Sequence, residues 1–137
     1  MVKNSVVVST ENMLNESQVV DCISRNLQEN GWTVKTSRYR GADIIATKDG
    51  VEWVIEAKGC GNSRHVQTER NNFFIYALGQ ILTRLDSDDK NYSVAFPDLP
   101  EFVNLWNNFS KLAKSKFGKN GLTILLVSSD GSVRELH

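Results

Sequence analysis

The chain reads as an α/β protein in which helices pack on a mixed β-sheet, and three observations lead there. An Asp49-Gly50 pair sits between two apolar runs, Ile44–Thr47 and Val51–Ala57. Asp-Gly flanked in this way marks a tight hairpin, because a type I′ turn needs φ > 0 at both central positions. Two stretches with helical periodicity flank this hairpin, one before it and one after. A short apolar run, Tyr92–Phe96, follows the second helix, at the spacing of a strand-helix-strand crossover.

The elements follow in order. A first helix is expected from about Asn12 to Gln28, with Met13, Val20, Ile23 and Leu27 as its apolar stripe and Asn30-Gly31 as its stop signal. Trp32 to Arg38 alternates as a first strand, and the hairpin supplies the second and third. Gly59-Cys60-Gly61-Asn62-Ser63 ends the third strand in a polar loop. A second helix is expected over about Glu69–Leu85, with Phe74, Ala77, Leu78, Ile81, Leu82 and Leu85 on one face. Asp86 to Asp89 is a turn, and Tyr92–Phe96 is a buried strand. Pro97 and Pro100 bracket the start of a third helix, about Glu101–Phe117, carrying Phe102, Leu105, Trp106, Phe109 and Leu112. Leu122–Val127 and Val133–Leu136 are strands joined at Asp130-Gly131. Trp32, Trp53 and Trp106 read as core or sheet-face residues. The order is α-β-β-β-α-β-α-β-β, and the third and fourth strands should be parallel through a right-handed crossover.

Bulk properties narrow the function. At 137 residues with 40% hydrophobic side chains, the chain is long enough for one domain, residues 1–137, with its own core. Its formal net charge is zero, so it lacks the global basic field of many nucleic-acid binders. Cations nevertheless gather mid-chain at Lys35, Arg38, Arg40, Lys48, Lys58, Arg64, Arg70 and Arg84, while acids gather at Asp86, Asp88 and Asp89. Cys22 and Cys60 have neither a metal-ligand spacing nor a disulfide framework, and they read as free thiols of a reducing compartment. Val6–Val8 is too short for a signal-peptide core and no apolar run reaches membrane-spanning length. The expected setting is cytoplasmic, with no membrane partner.

The chemistry concentrates at the hairpin. With Asp49 and Gly50 at the turn, Lys48 pairs with Val51, and counting back puts Asp43 opposite Glu56. Strand side chains alternate, so Glu56 and Lys58 share a face with each other and with Asp43; Glu52 lies there too. Like charges directly opposite destabilise a hairpin. Two facing carboxylates therefore invite a cation between them, and a hard, oxygen-liganded ion such as Mg²⁺ suits them.

Other residues bear on the same site. On a helical wheel Glu16 falls within the stripe of Val20, Ile23 and Leu27, so it either faces the polar cluster or serves as a first-turn charge at a helix N-terminus. Gln80 lies on the flank of the second helix with Phe73 and Arg84, either to orient a reacting group or substrate backbone or as a surface amide. Arg64, His65, Arg70 and Arg84 follow the third strand, and Arg38, Tyr39 and Arg40 precede the second. Cations so placed suit phosphates, the commonest anchor in protein–DNA contacts. Tyr39 and its neighbours equally suit the end of the first strand.

The pattern Glu16 … Asp43 … Glu56-Ala57-Lys58, followed by a helix carrying Gly79-Gln80, resembles the PD-(D/E)xK nuclease superfamily. The resemblance covers roughly residues 12–97. It implies a restriction-endonuclease-like fold, a central mixed sheet with core order α-β-β-β-α-β flanked by helices, here with a C-terminal α-β-β extension. Within the superfamily the chain looks most like small Holliday-junction-resolvase-like or stand-alone restriction-endonuclease-like proteins. One departure is that Gly41-Ala42, rather than a proline, precedes Asp43.

The resemblance implies a divalent-metal-dependent DNA endonuclease. Asp43 and Glu56 would hold Mg²⁺ or Mn²⁺ with the backbone carbonyl of Ala57, and Glu16 would join through water or complete a second site. Lys58 would orient or deprotonate the attacking water and stabilise charge on the phosphate. Arg38, Arg40, Arg64, His65, Arg70 and Arg84 would contact nucleic acid. Two symmetric cuts need two sites, so a homodimer is compatible with the reading, though no residue specifies one. The rival is a module of the same fold that binds nucleic acid or a protein partner without cutting, which the neutral charge favours. An α/β enzyme for small molecules is disfavoured because no Gly-rich phosphate loop or nucleophile elbow occurs.

Overall fold

The computed structural model describes residues 12–36, 41–62 and 65–137. Helix α1 (Glu16–Glu29) precedes strands β1 (Thr33–Lys35), β2 (Ile44–Lys48) and β3 (Val51–Ala57). Helix α2 (Val66–Arg84) leads to β4 (Asn91–Pro97), then α3 (Pro100–Asn108), α4 (Lys111–Ser115), β5 (Leu122–Val127) and β6 (Val133–Leu136). The six strands form one mixed sheet in the order β1-β2-β3-β4-β5-β6. β2 runs antiparallel to both of its neighbours, β1 and β3; β3, β4 and β5 are parallel, and β6 returns antiparallel to β5.

The sheet is apolar on both faces, as a centrally buried sheet must be. One face carries Ile44, Ala46, Ile55, Ala57, Ala95, Leu125 and Val127 against Val19, Cys22, Ile23 and Leu27 of α1. The other carries Ile45, Val54, Val94, Phe96, Ile124 and Leu126 against Phe74, Ala77 and Ile81 of α2 and Phe102 and Trp106 of α3. Phe96 and Phe102 stack with their centroids 4.4 Å apart at the centre of this layer. Both cysteines are buried, and neither forms a disulfide among the described residues. Among the described residues, no helix is long and apolar enough to cross a membrane.

The hairpin has the expected turn and register. Asp49 (φ 51°) and Gly50 (φ 81°) both take positive φ, and Lys48 pairs with Val51 down to Ile44 with Ile55. Asn30 caps α1 and Gly31 takes φ 91° just beyond it.

Several boundaries differ from the sequence reading, each for a local reason. α1 starts at Glu16, not Asn12, because Asn15 and Gln18 form a capping box. Met13 therefore lies outside the helix and is 63% exposed. β1 is only three residues long, and residues 37–40, the end of the strand expected over Trp32–Arg38, lie outside the described residues. α2 begins three residues earlier than expected, and Leu82 faces outward at 55% exposure.

The single helix expected over Glu101–Phe117 is two. Phe109 takes an extended conformation (φ −77°, ψ 143°), and its ring meets Trp106 and Phe74. Ser110 then caps α4 through Ala113 N–H at 3.1 Å. Leu112, expected in the buried stripe, is 69% exposed.

Candidate functional site

Asp43 sits just before β2, one step beyond the last ladder pair, Ile44 with Ile55. Continuing that register puts it opposite Glu56. Its neighbours by parity, Ile45 and Val54, belong to the layer beneath α2, so both acids turn toward that helix. Both are buried, Asp43 at 7% and Glu56 at 2% exposure. β2 leaves the ladder here, and the Ala57 N–H donates to Asp43 Oδ2 at 2.9 Å instead of to backbone. That bond fixes the Asp43 carboxylate. The Ala57 carbonyl projects from the same edge of β3 as its N–H, toward Asp43.

Two buried carboxyls this close cannot both ionise freely. Burial pushes the Glu56 carboxyl up to about 7, and the charge of Asp43 pushes in the same direction. The Arg84 guanidinium opposes the shift in part. Arg84 Nε lies 3.2 Å from Glu56 Oε2, and its terminal nitrogen donates to the Gly41 carbonyl. Gly41 has φ 87°, and a Cβ there would stand 3.2 Å from Arg84 Cζ. Glycine at this position thus serves both the backbone turn and the approach of the guanidinium.

Lys58 continues the Glu56 face beyond the end of β3, with its N–H bonded to Ala95 O at 3.0 Å. Its side chain lines a cavity of about 460 Å³ with Glu16, Glu69, Asn62, Phe73 and Tyr76. The floor of this cavity is made by a close approach. A Cβ on Gly59 would lie 2.5 Å from the Glu16 backbone nitrogen, and Cys60 N–H donates to Leu14 O at 2.9 Å. The exit of β3 is thereby stitched to the start of α1, which is what brings Glu16 beside Lys58.

Glu16 combines features of both expected readings, as a first-turn charge of α1 that also lines the cavity with Lys58. The buried face of α1 is Val19, Cys22, Ile23 and Leu27, and Glu16 is half-buried in the first turn, on the cavity rim. The structure thus forms two neighbouring groups, Asp43–Glu56–Arg84 and Glu16–Lys58–Glu69. Among the described residues, no three acidic, imidazole or thiol groups converge as a metal cluster. The donor set at Asp43 and Glu56 is two carboxylates with the Ala57 carbonyl on the same edge. It fits a hard divalent ion of the Mg²⁺ type, which binds through one or two carboxylates and keeps several waters.

Gln80 stands on α2 one turn before Arg84, half-buried, and its Oε1 has no hydrogen-bond partner among the described residues. A buried amide oxygen left this way is costly unless a donor reaches it.

Two of the residues expected to contact nucleic acid are engaged within the protein, Arg70 buried and Arg84 partly exposed. Arg70 is 3% exposed, donates to Cys60 O at 3.1 Å and pairs with Glu101 at 2.9 Å, tying the β3 exit loop to α3. Arg84 is held on Glu56. His65 is exposed at the N-cap position of α2. Arg38, Arg40 and Arg64 lie outside the described residues. The sequence reading missed Glu69, although a signal was there. Glu69, Phe73, Tyr76, Gln80 and Arg84 fall on one stripe of α2 at helical spacing.

Neither a protein-family model nor a curated protein matches the chain. Solved structures do. An XisH family protein from Nostoc punctiforme PCC 73102 superposes with TM-score 0.57 at 17% identity, over 88% of this chain and 99% of that one. An FdxN element excision controlling factor protein from Anabaena variabilis gives TM-score 0.54 at 16% identity over the same shares. At such identities the likeness bears on the fold, an α/β sheet flanked by helices.

Two tests follow from this geometry. Gly59→Ala should cost about 1–3 kcal/mol in urea unfolding, because the added methyl must push the α1 N-terminus away. An unchanged midpoint would mean that the close approach does not exist in solution.

The Glu56 carboxyl is held above its ordinary value of 4.5, so the folded state binds this proton more tightly than the unfolded state. Its contribution to stability is complete below about pH 4.5 and is lost as pH rises through about 7. In metal-chelated buffer the parent should lose on the order of 2–3 kcal/mol relative to Glu56→Gln between about pH 5 and pH 8. Parallel pH profiles for the two proteins would contradict the assignment.

Proposed function

We propose that the chain is a restriction-endonuclease-like domain that hydrolyses DNA phosphodiester bonds with a divalent cation. The observation that carries this reading is the buried, face-to-face pair Asp43 and Glu56, in which burial first and the charge of Asp43 second raise the Glu56 carboxyl to about 7. The element order α1-β1-β2-β3-α2-β4 supports it, being the core order of that fold. The likeness to a protein named as an excision controlling factor favours a DNA partner.

In this reading Asp43 and Glu56 hold Mg²⁺ or Mn²⁺ with the Ala57 carbonyl, and Glu16 contributes through water. Bound there, the cation would lower the pKa of a coordinated water and offset charge on the phosphate. The Ala57 N–H fixes the Asp43 carboxylate, so that oxygen needs no reorganisation during the reaction. Lys58 lines the cavity with Glu16 and Glu69, two residues along the chain from Glu56, where its ammonium would hold a phosphate oxygen and stabilise the developing charge. Gln80 Oε1 is a spare acceptor for a water hydrogen on the same side of α2.

A second reading, a module of the same fold that binds nucleic acid or protein without cutting, is favoured by Arg84, which already partners Glu56. A Mg²⁺/Mn²⁺ nuclease assay on duplex, single-stranded, flap and four-way-junction DNA separates the two. Asp43→Asn is the variant of choice, because it removes the charge but keeps an acceptor for the Ala57 N–H. It should abolish cleavage with no loss of stability. Lys58→Ala should lower turnover about 100-fold or more while metal binding persists. If the parent cuts none of these substrates, the non-cutting reading replaces the first. If Asp43→Asn cuts like the parent, the site lies elsewhere.

A further inference from the structure

The cavity at the end of β3 carries an apolar lining that the chemistry at Asp43 and Glu56 does not use. Met13 is 63% exposed and Tyr76 is 59% exposed, two of the most exposed large apolar side chains among the described residues, and both line this one cavity. Phe73 joins them there, half-buried and packed against the core. Large apolar side chains scattered singly over a surface need no explanation. Three gathered on one cavity with Lys58 do.

The lining has distinct parts. Phe73 and Tyr76 stand three residues apart on α2, so they are neighbours on its surface. Met13 comes from the segment before α1, so the apolar lining is drawn from two separate parts of the chain. Gly59 and Gly61 bring backbone rather than side chain to the cavity, and Asn62 adds an amide. The space, about 460 Å³, falls within the range of small-ligand sites. A second anion placed in it would meet the carboxylates of Glu16 and Glu69, which line the same cavity; an uncharged planar ring would not be repelled by them.

We propose that this cavity receives one unpaired nucleobase of the DNA strand whose phosphate Lys58 holds, with the base stacked on Tyr76 and Phe73 and covered by Met13. This rests on the nuclease reading above, and it narrows the substrate to single-stranded or locally unpaired DNA. Aromatic rings take any base, because every base has a π-face. Methionine is unbranched and polarizable, so it adapts to bases of different outline. In an intact duplex both faces of a base are covered by its neighbours. Extruding it costs unpairing and unstacking, and that cost is least in a strand already unpaired. The slot therefore selects DNA structure rather than sequence.

Fluorescence anisotropy of a short labelled strand, and of the same strand in duplex, titrated with the protein in Ca²⁺ and again in EDTA, tests the inference. The parent should bind the single strand about tenfold more tightly than the duplex. Tyr76→Ala should weaken single-strand binding about tenfold and remove most of that preference, while Tyr76→Phe keeps it. A strand carrying abasic sites should bind the parent about as weakly as the intact strand binds Tyr76→Ala, and the two losses should not add. Met13→Ala should give a smaller loss in the same direction, and it serves as the second variant should Tyr76→Ala fail to fold.

Equal binding of strand and duplex, or single-strand binding unchanged in Tyr76→Ala, overturns the base slot; metal-dependent cleavage that Asp43→Asn abolishes would then leave the nuclease standing. Losses from Tyr76→Ala and from the abasic strand that simply add overturn the stacking as well. Base-dependent binding at Tyr76 in a protein that cuts no substrate keeps the slot and assigns it to the non-cutting module. No binding of any DNA by any form overturns both.

Discussion

Two carboxylates, Asp43 and Glu56, are held face to face at the base of one hairpin, and the neighbouring polar structure arranges itself around their repulsion. The Asp49–Gly50 turn fixes the register that brings them together. A slip of one residue would turn both strands over and bury different side chains, so the apolar layers on either face enforce the same register. Neither acid has the option of swinging into water, because both are buried. What makes the pair tolerable is a set of compensations: the Ala57 N–H on Asp43, the Arg84 guanidinium on Glu56, and a Glu56 proton that persists to near neutrality. An alanine at Asp43 would leave the buried Ala57 N–H without its acceptor, which is why a conservative amide is a better probe than alanine.

The second requirement is that the end of β3 meet the start of α1. α1 packs on the face opposite to the one toward which Asp43 and Glu56 turn, so its residues can join them only at the sheet's end. Gly59 makes the meeting possible by presenting no side chain to the Glu16 backbone, and the Cys60–Leu14 hydrogen bond holds it. Arg70 closes the same loop from the other face through Cys60 O and Glu101. A strand exit tied down on both sides gives Lys58 a fixed origin despite its long side chain. Preorganisation of this kind is what electrostatic stabilisation of a reaction requires.

What was legible in the sequence were features set by local rules. The Asp-Gly turn, its register and the facing acids follow from φ preferences and a period of two, and all appear in the structure. The parallel β3–β4 pairing follows from the length of the connection. What was not legible depended on partners distant in sequence. Nothing local says that Arg70 meets Glu101 or that Arg84 meets Glu56, and Arg70 is in fact buried while Arg84 stays partly exposed. The break at Phe109 is invisible to periodicity, because the ring gains more from Trp106 and Phe74 than the helix loses. Glu16 stands in the first turn of α1, and the capping box at Asn15 is the sequence signal for that helix start. Glu69 shared a stripe with Gln80 and Arg84, and counting along that stripe in both directions finds it.

The most direct test of the account is a crystal of the protein grown with Mn²⁺ and measured for anomalous scattering. The account expects a peak within coordination distance of both Asp43 and Glu56, with the Ala57 carbonyl facing it. A peak elsewhere, or the two carboxylates still in contact with no peak between them at saturating Mn²⁺, would contradict it.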